Sequence, residues 1–376
     1  MSLQETESQS GGAPEPRANP ILLGHERAEA TLAEAARSGR LHHAWLVTGP
    51  RGIGKATLAH RFARWLLAGR AEETTQDALF ADAAPAGDGL WLDPNDPLFH
   101  RIATGGHADL MVAQREYDER AKRLRSEIVA ADVRKVSGFL SLTAGEGGWR
   151  VVIVDGAEDM NRHAANALLK TLEEPPSRTV LLLVSHAPGR LLPTIHSRCR
   201  KLPLKALDQA TVESLLGVYR PELAPDETAQ LAALGEGSIG RALELADAGG
   251  LALYGELIAL IAPLPQLDTV RLHGLAEALA RARPEPGTRD PFEVAAGLLG
   301  WWLARLIRAR AVGRLPPELV AGEGEVMARL AAAGNLDQWV EVWEKINRLF
   351  ARASSVNLDR KQVLLNAFFA LARVAS

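Results

Sequence analysis

One segment limits the folds open to this chain more than any other: Gly49-Pro50-Arg51-Gly52-Ile53-Gly54-Lys55-Ala56. It follows an apolar run, Ala44 to Thr48, and opens a stretch of helical periodicity from Lys55 to Ala68. A strand, a glycine loop and a helix in that order read as a phosphate-binding loop. Glycines let backbone N–H groups converge on phosphate oxygens, the helix N-terminus adds partial positive charge, and the lysine reaches the outer phosphates. Gly49, Gly52, Gly54 and Lys55 are therefore candidate nucleotide-binding residues. The next residue normally brings a hydroxyl to Mg²⁺, but here it is Ala56, which has no oxygen to offer. Thr57 is one position late, and one helical step turns a side chain by about 100°. Two readings stay open: ATP or ADP bound without hydrolysis, or a loop kept only as structure.

A second acidic element follows. Val151 to Val154 is an unbroken apolar run ending at Asp155, the pattern of a strand buried on both faces of a parallel sheet. Asp155 stands where a carboxylate helps to hold Mg²⁺, or else it is an ordinary helix N-cap or turn residue. Gly156 comes next, where a carboxylate would orient the attacking water, and Glu158 lies two residues further on. Further strands are expected near Ala108 to Val112 and Val180 to Val184. Helices are expected near Glu26 to Ser38, Val129 to Leu142 and Asn161 to Leu172, the last stopped by Pro175-Pro176. Strands alternating with helices imply an α/β class with a parallel sheet and right-handed crossovers. Strand signals end after Leu204, and the remainder reads as helix; at its end Val363 and Ala367, and Leu364, Phe368 and Leu371, recur at helical spacing.

Composition narrows the function classes. A net charge of -3 over 376 residues is not the basic excess of a chain that grips DNA by itself. Cys199 is the one cysteine, so no intramolecular disulfide and no thiolate zinc site can form, and a reducing, cytoplasmic setting fits. No apolar run is long enough to span a membrane. Met1 to Pro20 is rich in Glu, Gln, Ser, Gly and Pro without an apolar core, which reads as a disordered tail and not a secretion signal.

Three further segments carry a family resemblance. Leu41-His42-His43-Ala44-Trp45-Leu46 leads into the glycine loop. Ala165-Asn166-Ala167-Leu168-Leu169-Lys170-Thr171-Leu172-Glu173-Glu174-Pro175-Pro176 and Leu191-Leu192-Pro193-Thr194-Ile195-His196-Ser197-Arg198-Cys199 follow in order. Together they resemble the clamp-loader subunits of bacterial DNA polymerase III, members of the AAA+ family, within roughly Pro20 to Leu204. The C-terminal half is similar only in its helical content and in Asn357-Leu358-Asp359-Arg360-Lys361-Gln362. The resemblance implies a tail over 1–19, a P-loop nucleotide-binding domain over 20–205, a small helical lid over 206–250 and an all-α collar over 251–376. Ala56 and Gly156 place the chain with the non-hydrolysing members, and Ser197-Arg198-Cys199 with the delta-prime type. In such rings the arginine of that segment reaches the ATP of a neighbouring subunit, which implies Arg198 as a catalytic residue in trans; the plain alternative is a surface or interface salt bridge. The implied partners are ATPase subunits of the tau/gamma type and delta, with the sliding clamp and primed DNA met through the assembled complex. The alternative within the family is an active ATPase relying on Lys55, Thr57 and Glu158; a nucleotide-dependent remodeller outside replication is a third reading.

Departures from the family pattern are visible too. Many relatives carry a four-cysteine zinc module where Ala71 to Pro97 has no cysteine, so no zinc is expected. Gly237-Ser238-Ile239 is followed by Gly240 where active relatives place a sensor arginine, with Arg241 one place late. The mixed charge run Arg115 to Arg125 reads as a solvated helix face or a local contact for DNA or a partner. His42 and His43 read as structural histidines, and Leu298-Leu299-Gly300-Trp301-Trp302-Leu303 as a helix- or subunit-packing stretch.

Overall fold

The computed structural model describes residues 13–72, 89–118, 123–146, 148–283, 288–356 and 358–376. The first twelve residues of the expected tail, most of the zinc-module region, residues 119–122 of the charge run and Asn357 lie outside them. Among the described residues two compact units separate: Gly12–Tyr219 with Glu236–Gly240, and Arg220–Gly235 with Arg241–Ser376.

The first unit runs α1 (Glu26–Arg37), β1 (Ala44–Thr48), α2 (Lys55–Leu67), α3 (Pro97–Ala103), β2 (Leu110–Ala113), β3 (Tyr117–Asp118), β4 (Arg123–Leu124), α4 (Ala130–Ser141), β5 (Arg150–Asp155), α5 (Arg162–Glu173), β6 (Thr179–Ser185), α6 (Pro193–His196), β7 (Arg200–Pro203) and α7 (Gln209–Tyr219). Five strands form one sheet in the order β2-β5-β6-β1-β7, every pair parallel. Side chains alternate between its faces. Trp45, Val47, Val151, Ile153, Val180 and Leu182 pack with Leu32, Leu58 and Phe62 of α1 and α2. Ala44, Leu46, Val152, Val154, Leu181 and Leu183 pack with Val133, Leu140, Leu168 and Leu172 of α4 and α5. Helices on both faces are why β1, β5 and β6 are apolar throughout and do not alternate. The class is α/β, a parallel sheet whose strand β1 runs through the glycine loop into α2.

Two features were not legible beforehand, and one expectation is corrected. Edge strand β7 has only Leu202 buried, so its sequence carries no apolar run. Helix α3 begins at Pro97 with Asp96 accepting from Leu98 N at 2.8 Å, an N-cap at the edge of a loop-like region. The charge run is not a helix face: Tyr117 pairs with Leu124 and Asp118 with Arg123 in an antiparallel ladder. Its sequence lacks the apolar stripe by which a helix docks.

Arginines of α2 hold the segment before α1. Arg64 donates to Arg17 O and Asn19 O, both at 2.8 Å, and Arg61 to Pro20 O at 2.6 Å. His60, beside them, is buried, and its Nδ1 has no partner among the described residues. Burial, then the charges of Arg64 and Arg17, pull its pKa from 6.5 down to about 4. The unfolded chain takes up this proton at higher pH than the folded one. The contribution is therefore complete above about pH 6.5 and is lost as pH falls toward about 4. Such a shift corresponds to about 3 kcal/mol. The denaturation midpoint of the wild-type chain should fall across that window, and His60→Leu should flatten the fall.

The second unit is helical throughout: α8 (Pro225–Gly235), most of α9 (Ile239–Asp247), α10 (Gly250–Ile261), α11 (Thr269–Arg281), α12 (Pro291–Val312), α13 (Glu323–Ala332), α14 (Leu336–Val356) and α15 (Arg360–Ala375). Aspartates start three of them. Asp268 accepts from Arg271 N, Asp290 from Phe292 N, and Asp359 from Lys361 N and Gln362 N. Leu298, Leu299, Trp302 and Leu303 of α12 are buried inside this unit, as are Val363, Leu364, Ala367, Phe368 and Leu371 of α15.

Candidate functional site

Phosphate-loop residues lie at the C-terminal end of β1, where the chain turns into α2. Gly49, Gly52 and Gly54 have φ of 145°, 74° and 98°, backbone that side-chain-bearing residues rarely adopt. At Gly49 an added Cβ would lie 2.5 Å from Leu204 O, so no other residue fits.

Five consecutive carbonyls of this loop are held from outside it or by its own lysine. Lys55 Nζ donates to Gly49 O at 2.9 Å and also to Pro50 O. Ser238 Oγ donates to Arg51 O at 2.8 Å, Gly240 N donates to Gly52 O at 2.9 Å, and His25 Nε2 bonds Ile53 O at 2.7 Å. In a trans peptide the N–H points opposite to the C=O. Each of these bonds fixes the orientation of the following amide and so holds the loop in one conformation. An added Cβ at Gly240 would stand 2.9 Å from Gly52 Cα. Glycine at the place of the sensor arginine is thus what allows this close approach. Ser238, Gly240 and His25 were not identified as loop supports from sequence; the glycine at 240 was the one signal available.

Lys55 is buried. Burial brings its ammonium down to about 8, against the opposing pull of Glu158 and Asp155. Asp155 closes β5; burial raises its carboxyl, and the Lys55 charge offsets part of the rise. The structure thus brings Gly49, Gly52, Gly54, Lys55 and Asp155 to one end of the sheet. Gly156 is left-handed at φ 77°, and a Cβ there would sit 3.1 Å from Asp159 Oδ2. Glu158 lies in the same cluster: its side chain is fully buried, Oε1 accepts from His186 N at 3.0 Å and pairs with the His186 ring, and Oε2 has no hydrogen-bond partner among the described residues. Burial raises this carboxyl, but the backbone N–H groups of Glu158 and His186 outweigh it and leave it below its ordinary value. Thr57 is buried within α2.

Arg198 stands apart from this cluster. It lies two residues before β7, whose first residue, Arg200, is level with Trp45 in the parallel ladder. Arg198 therefore lies in the turn that enters β7, beside the start of β1 rather than its end. It sits at the N-terminal end of the strands, whereas its own phosphate loop follows the C-terminal end of neighbouring β1. Neighbouring Cys199 is buried, which pushes its thiol up to about 12. His42 bonds backbone atoms of Ala44, and His43 bonds Leu172 O at 3.0 Å. Among the described residues no group of three or more His, Cys, Asp or Glu could hold a metal ion, and no helix is long and apolar enough to cross a membrane.

Residues 92–208 match the family described as DNA polymerase III, delta subunit. The chain is 39% identical over 196 residues to the delta-prime subunit of DNA polymerase III from Pseudomonas aeruginosa, covering 52% of this chain and 53% of that protein. It is 31% identical over 270 residues to the tau subunit of Escherichia coli, covering 70% of this chain and 38% of that protein. The chain thus spans about half or less of the length of these relatives. A gamma subunit-related protein from Thermotoga maritima aligns over 94% of this chain and 100% of its own at 18% identity, with a TM-score of 0.40, too loose a likeness to add weight. The order of the loop, the acidic strand and the Ser-Arg-Cys segment, with these matches, makes the chain a member of the DNA polymerase III clamp-loader subunit family that includes delta-prime and tau/gamma.

Proposed function

We propose that this chain acts as a delta-prime-like subunit of the DNA polymerase III clamp loader, a non-hydrolysing part of an AAA+ ring that offers Arg198 to the ATP of a neighbour. One observation carries the reading: the home site lacks its chemistry while Arg198 sits at the other end of the strands from it. Ala56 gives Mg²⁺ no hydroxyl, and left-handed Gly156 gives the attacking water no carboxylate. Glu158 stands two residues beyond that position, and its Oε1 is bound by His186. Losing one water-orienting or general-base group costs about 10²–10⁴-fold, and the metal ligand is missing as well. The glycine loop and Lys55 remain, so nucleotide is held without turnover.

Subunits of the tau/gamma type would supply the hydrolysis, with delta completing the ring. The sliding clamp and primed DNA would be reached through that assembly, in keeping with a net charge of -3. The test is Mg²⁺-dependent ATP hydrolysis by the purified chain, with and without primed DNA. Background turnover is expected, identical in Lys55→Ala. Turnover above background that Lys55→Ala removes would make this an active ATPase and end the scaffold reading.

A further inference from the structure

Arg198 is anchored from two different elements. Nη1 donates to Thr194 O at 3.0 Å and to Ser197 Oγ at 3.3 Å. These contacts come from its own turn and fix one nitrogen. A guanidinium held at one nitrogen still pivots about it. The second anchor is Glu173, the last residue of α5, whose Oε1 lies 2.7 Å from Nη2. Contacts at both terminal nitrogens restrict that pivoting. Two of its five N–H donors are then hydrogen-bonded, both on Nη1, and Nη2 is ion-paired with Glu173.

We infer that Glu173 is a positioning residue for Arg198: its carboxylate sets the guanidinium plane so that the remaining N–H donors face a phosphate group bound on an adjoining subunit. This rests on the reading of Arg198 proposed above. The Arg198 and Glu173 side chains are 33% and 49% exposed. A pair so open to water adds only about 0–1 kcal/mol to stability, so the fold does not depend on it. Its value is geometric. Planar, forked donors bind phosphate well only when aimed, and a 1 Å misplacement can cost about 10²-fold in rate. Glu173 also competes with the phosphate for the same cation, but it grips one nitrogen only and leaves the other donors to the incoming anion.

The test uses the assembled complex containing the full chain. Glu173→Ala should lower kcat at the site Arg198 serves by about tenfold, with KM unchanged. Glu173→Gln keeps an acceptor oxygen and should return the rate to within about threefold of wild type. In the isolated chain, ¹⁵N relaxation of the Arg198 Nε–H should show an ordered group in the wild type and a mobile one in Glu173→Ala. Arg198→Ala in the same complex is the reference. If it leaves hydrolysis unchanged, the trans reading fails and the positioning role falls with it. If Arg198→Ala is slow while Glu173→Ala matches or exceeds wild type, or if Arg198 stays equally ordered without Glu173, the positioning role alone is overturned.

Discussion

In a reconstituted loader, Arg198→Ala should slow hydrolysis at the adjoining ATP site by about 10³-fold or more, the range for an arginine supplied in trans. The cause is the loss of a fixed positive charge where the transferring phosphoryl group gathers negative charge. The isolated chain should fold as before, because the Arg198 side chain is 33% exposed and its one ion pair, to Glu173, is half open to water. Arg198→Lys should recover little. An ammonium keeps the charge but not the planar fork that engages Glu173, Thr194 and a phosphate together. Single-turnover measurements on the assembled complex separate this site from others in the ring. Wild-type rates in the Arg198→Ala complex would leave Arg198 with only its contacts to Glu173, Thr194 and Ser197.

Glu323→Ala should destabilise the second unit by about 3–5 kcal/mol, the usual result of stripping one partner from a buried ion pair. Glu323 and Arg305 are 1% and 9% exposed, and Arg305 Nη1 lies 2.9 Å from Glu323 Oε1. The same oxygen accepts from the Tyr254 hydroxyl at 2.5 Å, while Oε2 accepts from Leu319 N at 2.8 Å. Arg305 Nη2 donates to Pro317 O at 2.5 Å, and its guanidinium lies 4.5 Å over the Trp301 ring. Alanine would therefore strand a buried cation, a phenol and a backbone N–H in one place. Replacing Arg305 and Glu323 together by leucine should cost less than the sum of the single changes, since the coupling between them is then removed. Hydrogen exchange of α12 and α13 against denaturant reads both results. If Glu323→Ala changes protection there by less than about 1 kcal/mol, the network is a passive contact.

Regular elements of the first unit were legible because their local signals are strong. The apolar runs at β1, β5 and β6 match the strands to within a residue or two, since a strand covered on both faces has no position for a polar side chain. The glycines of the loop were legible for the same kind of reason: left-handed backbone at Gly52 and Gly54 admits little else. Short and exposed elements were not. The β3–β4 hairpin and edge strand β7 bury too little to leave an apolar pattern.

Candidate residues divide along the same line. Which groups are present is a matter of sequence: Lys55 and Asp155 are there, and the hydroxyl at 56 and the carboxylate at 156 are not. Where those groups stand is not. That Glu158 turns to His186, that Ser238 and Gly240 close on the loop carbonyls of Arg51 and Gly52, and that Glu173 reaches Arg198 are decided by tertiary structure. These contacts join residues between 25 and 188 positions apart in the chain. The sequence by itself determined the class of the fold and the chemistry that is missing, because periodicity, glycine backbone and the absence of a functional group are local properties. Only the parallel sheet decided that the phosphate loop and Arg198 lie at opposite ends of the strands, because that depends on how distant strands align in direction and register.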